Sequence, residues 1–130
     1  MRPSDLFAFE VWLKGREDCR AVINHRTIGK ARYSFLLDLE QGTLPFHLVR
    51  GRKLGPPQTS EALEHTCTYR GRPELRAGAH VRVGGAVGRI AGAAGGANFS
   101  VIFDDDAPRY AGAMLNVHPS EIETAKEPAP

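Results

Sequence analysis

The sequence predicts an α+β protein, an N-terminal ββαβ module followed by a small β-barrel. Two observations carry that expectation. The hydrophobic period is two residues at the start, changes once to 3.6 between residues 28 and 41, and then returns to two. A Gly-Pro-Pro break at 55–57 separates the halves, and short strands punctuated by turn residues fill the region beyond residue 77. With 130 residues, 42% of them hydrophobic and 25% charged, the chain has the composition of a globular protein with one ordinary core or two small ones.

The first module is expected over residues 1–55. "LFAFEVWL" (6–13) alternates Phe7, Phe9, Val11 and Leu13 against Glu10 and Trp12, and "CRAVIN" (19–24) turns Ala21 and Ile23 one way, so the two read as a hairpin. Thr27 is placed to cap a helix. In "IGKARYSFLLDLEQ" the residues Ile28, Ala31, Phe35, Leu36 and Leu39 recur at helical spacing, and Gly42 stands at the position of a left-handed C-cap. "PFHLVRGRKL" (45–54) supplies a third strand, whose place in the sheet is left open. Residues 56–77 read as a linker with a short helical turn at "SEALEHT".

The second module is expected over residues 78–126, with a disordered tail at 127–130. "AHVRVGG", "AVGRIAG", "NFSVIFDD" and "AGAMLNVHP" give four short strands, and Ser120 with Glu123 forms a capping box in "SEIETA". The stretch "GGAVGRIAGAAGGANFSVIFDDD" (84–106) invites a second reading as a phosphate-binding loop. Its glycines at 84, 85, 88, 92, 95 and 96 fit neither GxGxxG nor the Walker spacing, and a strand follows them where both motifs need a helix. They read as turn glycines.

"AGAHVRVGGAVGRI" followed by "FSVIF" resembles the glycine-containing hairpin of KOW-type, SH3-like barrels, with Gly78, Val81, Val83, Gly88, Ile90, Val101 and Phe103 carrying the pattern. The resemblance implies a bent five-stranded barrel and a nucleic-acid, ribosomal or polymerase partner. "RGRPELRAGAHVRVGGAVGRI" leading to "FDDDAPRYAGAMLNVHPSEI" also resembles small proteins of tailed bacteriophages.

No enzyme is expected. Cys67 follows His65 by two residues, which in a strand would share a face, but no oriented base or cleft is apparent. Neither a CxxC nor an HxxxH pair exists, and Asp104, Asp105 and Asp106 lack the EF-hand spacing, so no metal or other cofactor is expected. Charges stand too early in "MRPSDLFAFEVWLKG" for a signal sequence, and no apolar run approaches the ~20 residues of a membrane span. A cytoplasmic protein of a bacterial host cell is expected, with reduced Cys19 and Cys67 and no membrane partner.

Charge is segregated. Residues 14–89 carry fourteen Lys or Arg against seven Asp or Glu, and residues 90–130 carry two against six. Arg26, Lys30 and Arg32 crowd the start of the helix, where positive charge opposes the macrodipole by about 0.3–1 kcal/mol each. "RGRK" ends the third strand. Arg50, Arg52 and Lys53 with Arg26, Lys30 and Arg32 are therefore the candidate binding surface for nucleic acid or a nucleoprotein complex, with Tyr33 or Trp12 available to stack on a base. Solvation, or pairing with Glu17, Asp18, Asp38 and Glu40, is the competing account. An inhibitor or adaptor directed at a host polymerase or defence complex, or a virion component, is the alternative function.

Overall fold

The computed structural model describes residues 5–40 and 45–125. Among them the chain is a mixed α+β protein with two α-helices and two antiparallel sheets. It divides into two compact units, Leu6–Gln58 and a second that begins at Thr59 and includes Asp5. The expected C-cap at Gly42 and the tail at 127–130 lie outside the described residues.

In the N-terminal unit the order is β1 (Phe7–Leu13), β2 (Arg16–His25), α1 (Ile28–Glu40), a 3-10 turn (Phe46–Leu48) and β3 (Val49–Gly55). The strands lie in the order β2-β1-β3, so the hairpin's first strand is central and the third strand takes its free edge. Period-two alternation sends Phe9 and Val11 to one face, where they pack with Val49 and with Ala31, Phe35 and Leu36 of α1. The larger of these side chains, Phe9, Val11, Val49, Phe35 and Leu36, each contribute roughly 1.5–3 kcal/mol when fully buried. Ile28 and Leu39, expected on the same helical stripe, are exposed. Thr27 caps the helix as expected, its Oγ1 accepting from the Lys30 amide at 3.2 Å.

His25 closes β2 with its Nδ1 accepting from the Arg26 amide at 3.0 Å. Burial first, then the charges of Lys30 and Arg26, push its pKa down from 6.5 to about 4. Between those values the unfolded chain takes up a proton that the folded unit refuses, so stability is lost as pH falls through that window. His25→Gln, which cannot titrate, should flatten the difference in urea stability between pH 7 and pH 5. A variant with the same pH dependence as the wild type would remove His25 as the cause.

The C-terminal unit contains α2 (Glu61–Arg70), β4 (His80–Val83), β5 (Ala86–Ala94), β6 (Asn98–Phe103), β7 (Met114–Val117), a 3-10 turn (Pro119–Glu121) and β8 (Glu123–Thr124). Their order is β7-β6-β5-β4-β8, and among the described residues no pairing joins the two edges into a closed barrel. Gly84 and Gly85, with φ of 56° and 91°, make the two-residue turn between β4 and β5, a conformation that needs left-handed backbone at both positions. The segment read as a linker instead holds α2, capped by Ser60 Oγ accepting from the Leu63 amide. Leu63 and Cys67 on α2, with Leu75 after it, join Val81, Ile90, Phe99 and Phe103 in the core.

The expected capping box at Ser120 and Glu123 does not form. Pro119 opens the last turn, so the cap falls one residue earlier than Pro119, on His118, whose Nδ1 accepts from the Ser120 amide at 3.0 Å. His65 and Cys67 sit on a helix rather than a strand, which sends them to different sides. His65 is exposed and Cys67 is buried. The thiol donates to the Leu75 carbonyl at 3.3 Å, and burial raises its pKa, the opposite of what a nucleophile needs.

Candidate nucleic-acid interface

The helix covers one face of the N-terminal sheet, and the residues alternating with that core form the other. On the central strand these are Glu10 and Trp12; on β3 they are Arg50 and Arg52, paired across the ladder with Trp12 and Glu10 respectively. Strand β2 adds Val22, the ladder partner of Glu10, and Arg20. The hairpin bulges between Val11 and Leu13, and the Arg20 guanidinium lies 4.4 Å from the centre of the Trp12 ring. Glu10 links the outer strands, its Oε1 accepting from Arg20 Nη1 at 3.0 Å and from Arg52 Nε at 2.9 Å.

The pairings are open to water, so as isolated ion pairs they add little stability, about 0–1 kcal/mol each. Their geometric effect is larger. One carboxylate on the central strand holds a guanidinium group from each outer strand, Arg52 with 65% of its side chain exposed. A half-buried indole and three arginines drawn from three neighbouring strands thus share one face.

The six residues singled out from the sequence are divided by this geometry. Arg50 and Arg52 lie on the open face. Lys53, one position on, points to the helix side, with its Nζ 3.7 Å from the centre of the Phe7 ring. Arg32 is held inside the unit: Nε donates to the Val49 carbonyl at 2.8 Å, Nη2 to the Phe46 carbonyl at 3.3 Å, and the group lies over the Phe46 ring. Arg26 is buried, with 8% of its surface accessible. Lys30 is exposed on α1, as is Tyr33, on the element that covers the opposite face. The structure therefore joins Arg50 and Arg52 with Arg20 and Trp12, and separates them from the helix start.

Arg20 was not among the sequence candidates. It alternates with Ala21 and Ile23, which face the core, and that phase was the available signal.

The C-terminal unit offers a different surface. An open groove of about 950 Å³ between α2 and the β5–β6 hairpin is floored by Ala93, Ala94 and Ala97 and edged by Glu61, Glu64 and His65. Its acidic edge suits phosphate poorly. Asp104 is engaged by Arg89, whose Nη1 donates to Oδ1 at 3.0 Å. Among the described residues no group of three His, Cys, Asp or Glu is arranged to hold a metal ion, and no helix is long and apolar enough to cross a membrane.

Comparison of the chain with protein-family models, with curated proteins and with solved structures gave no match.

Proposed function

We propose that the chain is a non-enzymatic nucleic-acid-binding protein and that the open face of its N-terminal sheet is the contact surface. The observation that carries this reading is the convergence of Arg20, Arg50 and Arg52 around Trp12 on a sheet face free of the helix. Guanidinium groups bind phosphate through paired N–H donors, and the half-buried indole with the Arg20 guanidinium over it supplies a stacking surface. Charge follows the same division: residues 6–58 carry nine Lys or Arg against five Asp or Glu, residues 59–125 six against eight. For the C-terminal unit we propose an SH3-like arrangement, supported by a four-strand meander whose fifth strand returns to the first after a 3-10 turn. The likeness to tailed-bacteriophage proteins would set this binding in the cytoplasm of an infected bacterium.

Binding of a labelled oligonucleotide at several salt concentrations tests the proposal. Each phosphate neutralised contributes roughly 0.7–0.9 to the slope of log K against log salt, so the triple variant Arg20→Ala, Arg50→Ala, Arg52→Ala should flatten the slope by up to about three contacts and weaken binding by about tenfold or more. Lys53→Ala and Arg109→Ala should change neither. An unchanged slope in the triple variant, or no binding at low salt, would end the nucleic-acid reading and leave the face to a protein partner, the inhibitor or adaptor alternative.

A further inference from the structure

We infer that this face takes single-stranded nucleic acid, with one base stacked against the Trp12–Arg20 pair and the adjoining phosphates held by Arg50 and Arg52; the inference rests on the nucleic-acid reading above. Trp12 stands on the central strand, with Arg20 to one side and Arg50 to the other. Neighbouring strands are roughly 4.8 Å apart, so the two arginines are rooted about 10 Å from one another with the indole between them. A duplex cannot use that arrangement. Its base faces are covered by their own stacking, and a major groove about 12 Å wide admits a helix or a two-stranded ribbon, whereas Trp12 is flanked by strands on both sides. An unpaired strand presents base faces and phosphates together, and can lay them on a flat surface.

Two further details point the same way. The guanidinium of Arg20 lies over the indole, and Glu10 fixes its far end, so a stacked guanidinium–indole pair, whose outer guanidinium plane can itself carry a base, is ordered before any ligand arrives. Glu10 also puts a carboxylate between Arg20 and Arg52, which interrupts the positive track that a continuous duplex backbone would follow. A flexible single strand can route its phosphates around that charge.

Trp12 is the chain's one tryptophan, so it reports directly on its own contact. The full-length protein is titrated with an oligothymidylate of about twelve nucleotides, inside the roughly 4–16 nucleotides of comparable single-strand sites, and with a duplex of the same length. Binding is followed by anisotropy of the labelled nucleic acid and by Trp12 emission. The single strand should quench Trp12 and bind at least about tenfold more tightly than the duplex at moderate salt. Trp12→Ala should lose about tenfold or more for the single strand and little for the duplex, with Trp12→Phe retaining part of the affinity. Equal binding of both nucleic acids, or saturation by the single strand with Trp12 emission unmoved, overturns this inference while the nucleic-acid reading stands. No binding of either at low salt overturns both.

Discussion

Gly88→Val is expected to leave the C-terminal unit unfolded at temperatures where the wild-type chain is native, and Gly88→Ala to lower its melting temperature by roughly 10 °C. The cause is close approach, since a Cβ at position 88 would stand 2.8 Å from the Ile102 carbonyl oxygen, 2.9 Å from Val101 Cγ1 and 3.2 Å from Phe103 Cα. Two of these atoms are backbone in the strand paired with β5, so neither can rotate away. Relief requires the two strands to part at Gly88–Phe103, beside the core residues Ile90 and Val101. Overpacking typically costs about 1–3 kcal/mol, and each kcal/mol moves the midpoint of a 60–100-residue domain by about 4–8 °C. Valine adds two methyl groups to the same collision.

Gly92→Ala is the control. It lies in the same strand with nothing within 4 Å of its Cβ position, so alanine there should be neutral or stabilising by up to about 1 kcal/mol. Thermal denaturation followed by circular dichroism separates the two. If Gly88→Ala melts with the wild type, the contacts at that glycine are softer than the geometry requires.

The parts of the fold that announce themselves do so through long, regular patterns. The alternation of Phe7, Phe9 and Val11 and the helical recurrence of Ala31, Phe35 and Leu36 are each repeated often enough to specify a face, and both faces meet in one core. Helix α2 had no such pattern. Its buried stripe reduces to Leu63, Thr66 and Cys67, with one i,i+4 apolar pair among them, and its place in the core depends on strands far along the chain. The barrel expectation rested on strand count and turns, which do not state whether the edges pair.

The candidate site was legible in part. Arg50 and Arg52 are two apart and share a face by the same period-two rule that removes Lys53 from it, so that separation was readable in "RGRK". What could not be read was the edge that β3 would take. Its pairing with β1 sets Arg50 beside Trp12. Nor does composition show that Arg32 will be drawn to the carbonyls of Phe46 and Val49, 14 and 17 residues away, or that Arg26 will be buried. A basic cluster in sequence becomes a binding surface only where the fold leaves its charges facing solvent together.

Arg89 shows the opposite use of the same residue type, and Asp104→Ala should therefore be among the most damaging single substitutions in the chain. The Arg89 side chain is 5% exposed and Asp104 is 14% exposed, with Nη1 donating to both carboxylate oxygens at 3.0 and 3.4 Å. Asp5 stands farther off, at 3.9 Å from Nη2. Removing the nearer carboxylate leaves a guanidinium almost without water and without its principal counter-charge, and breaking a buried pair from one side costs about 3–5 kcal/mol. A unit of this size has about 3–10 kcal/mol in total at the usual stability per residue, so the loss would take much of it. The double variant Arg89→Met, Asp104→Ala removes both the charge and its partner, and should recover most of the loss because apolar replacement of a buried ion pair is often neutral or better. Urea unfolding of the wild type, both single variants and the double variant completes a double-mutant cycle. The expected result is a double variant more stable than Asp104→Ala by about 2 kcal/mol or more, the greater part of that penalty. A single variant within about 1 kcal/mol of the wild type, or a double variant no better than Asp104→Ala, would mean that Arg89 reaches enough water to carry its charge alone.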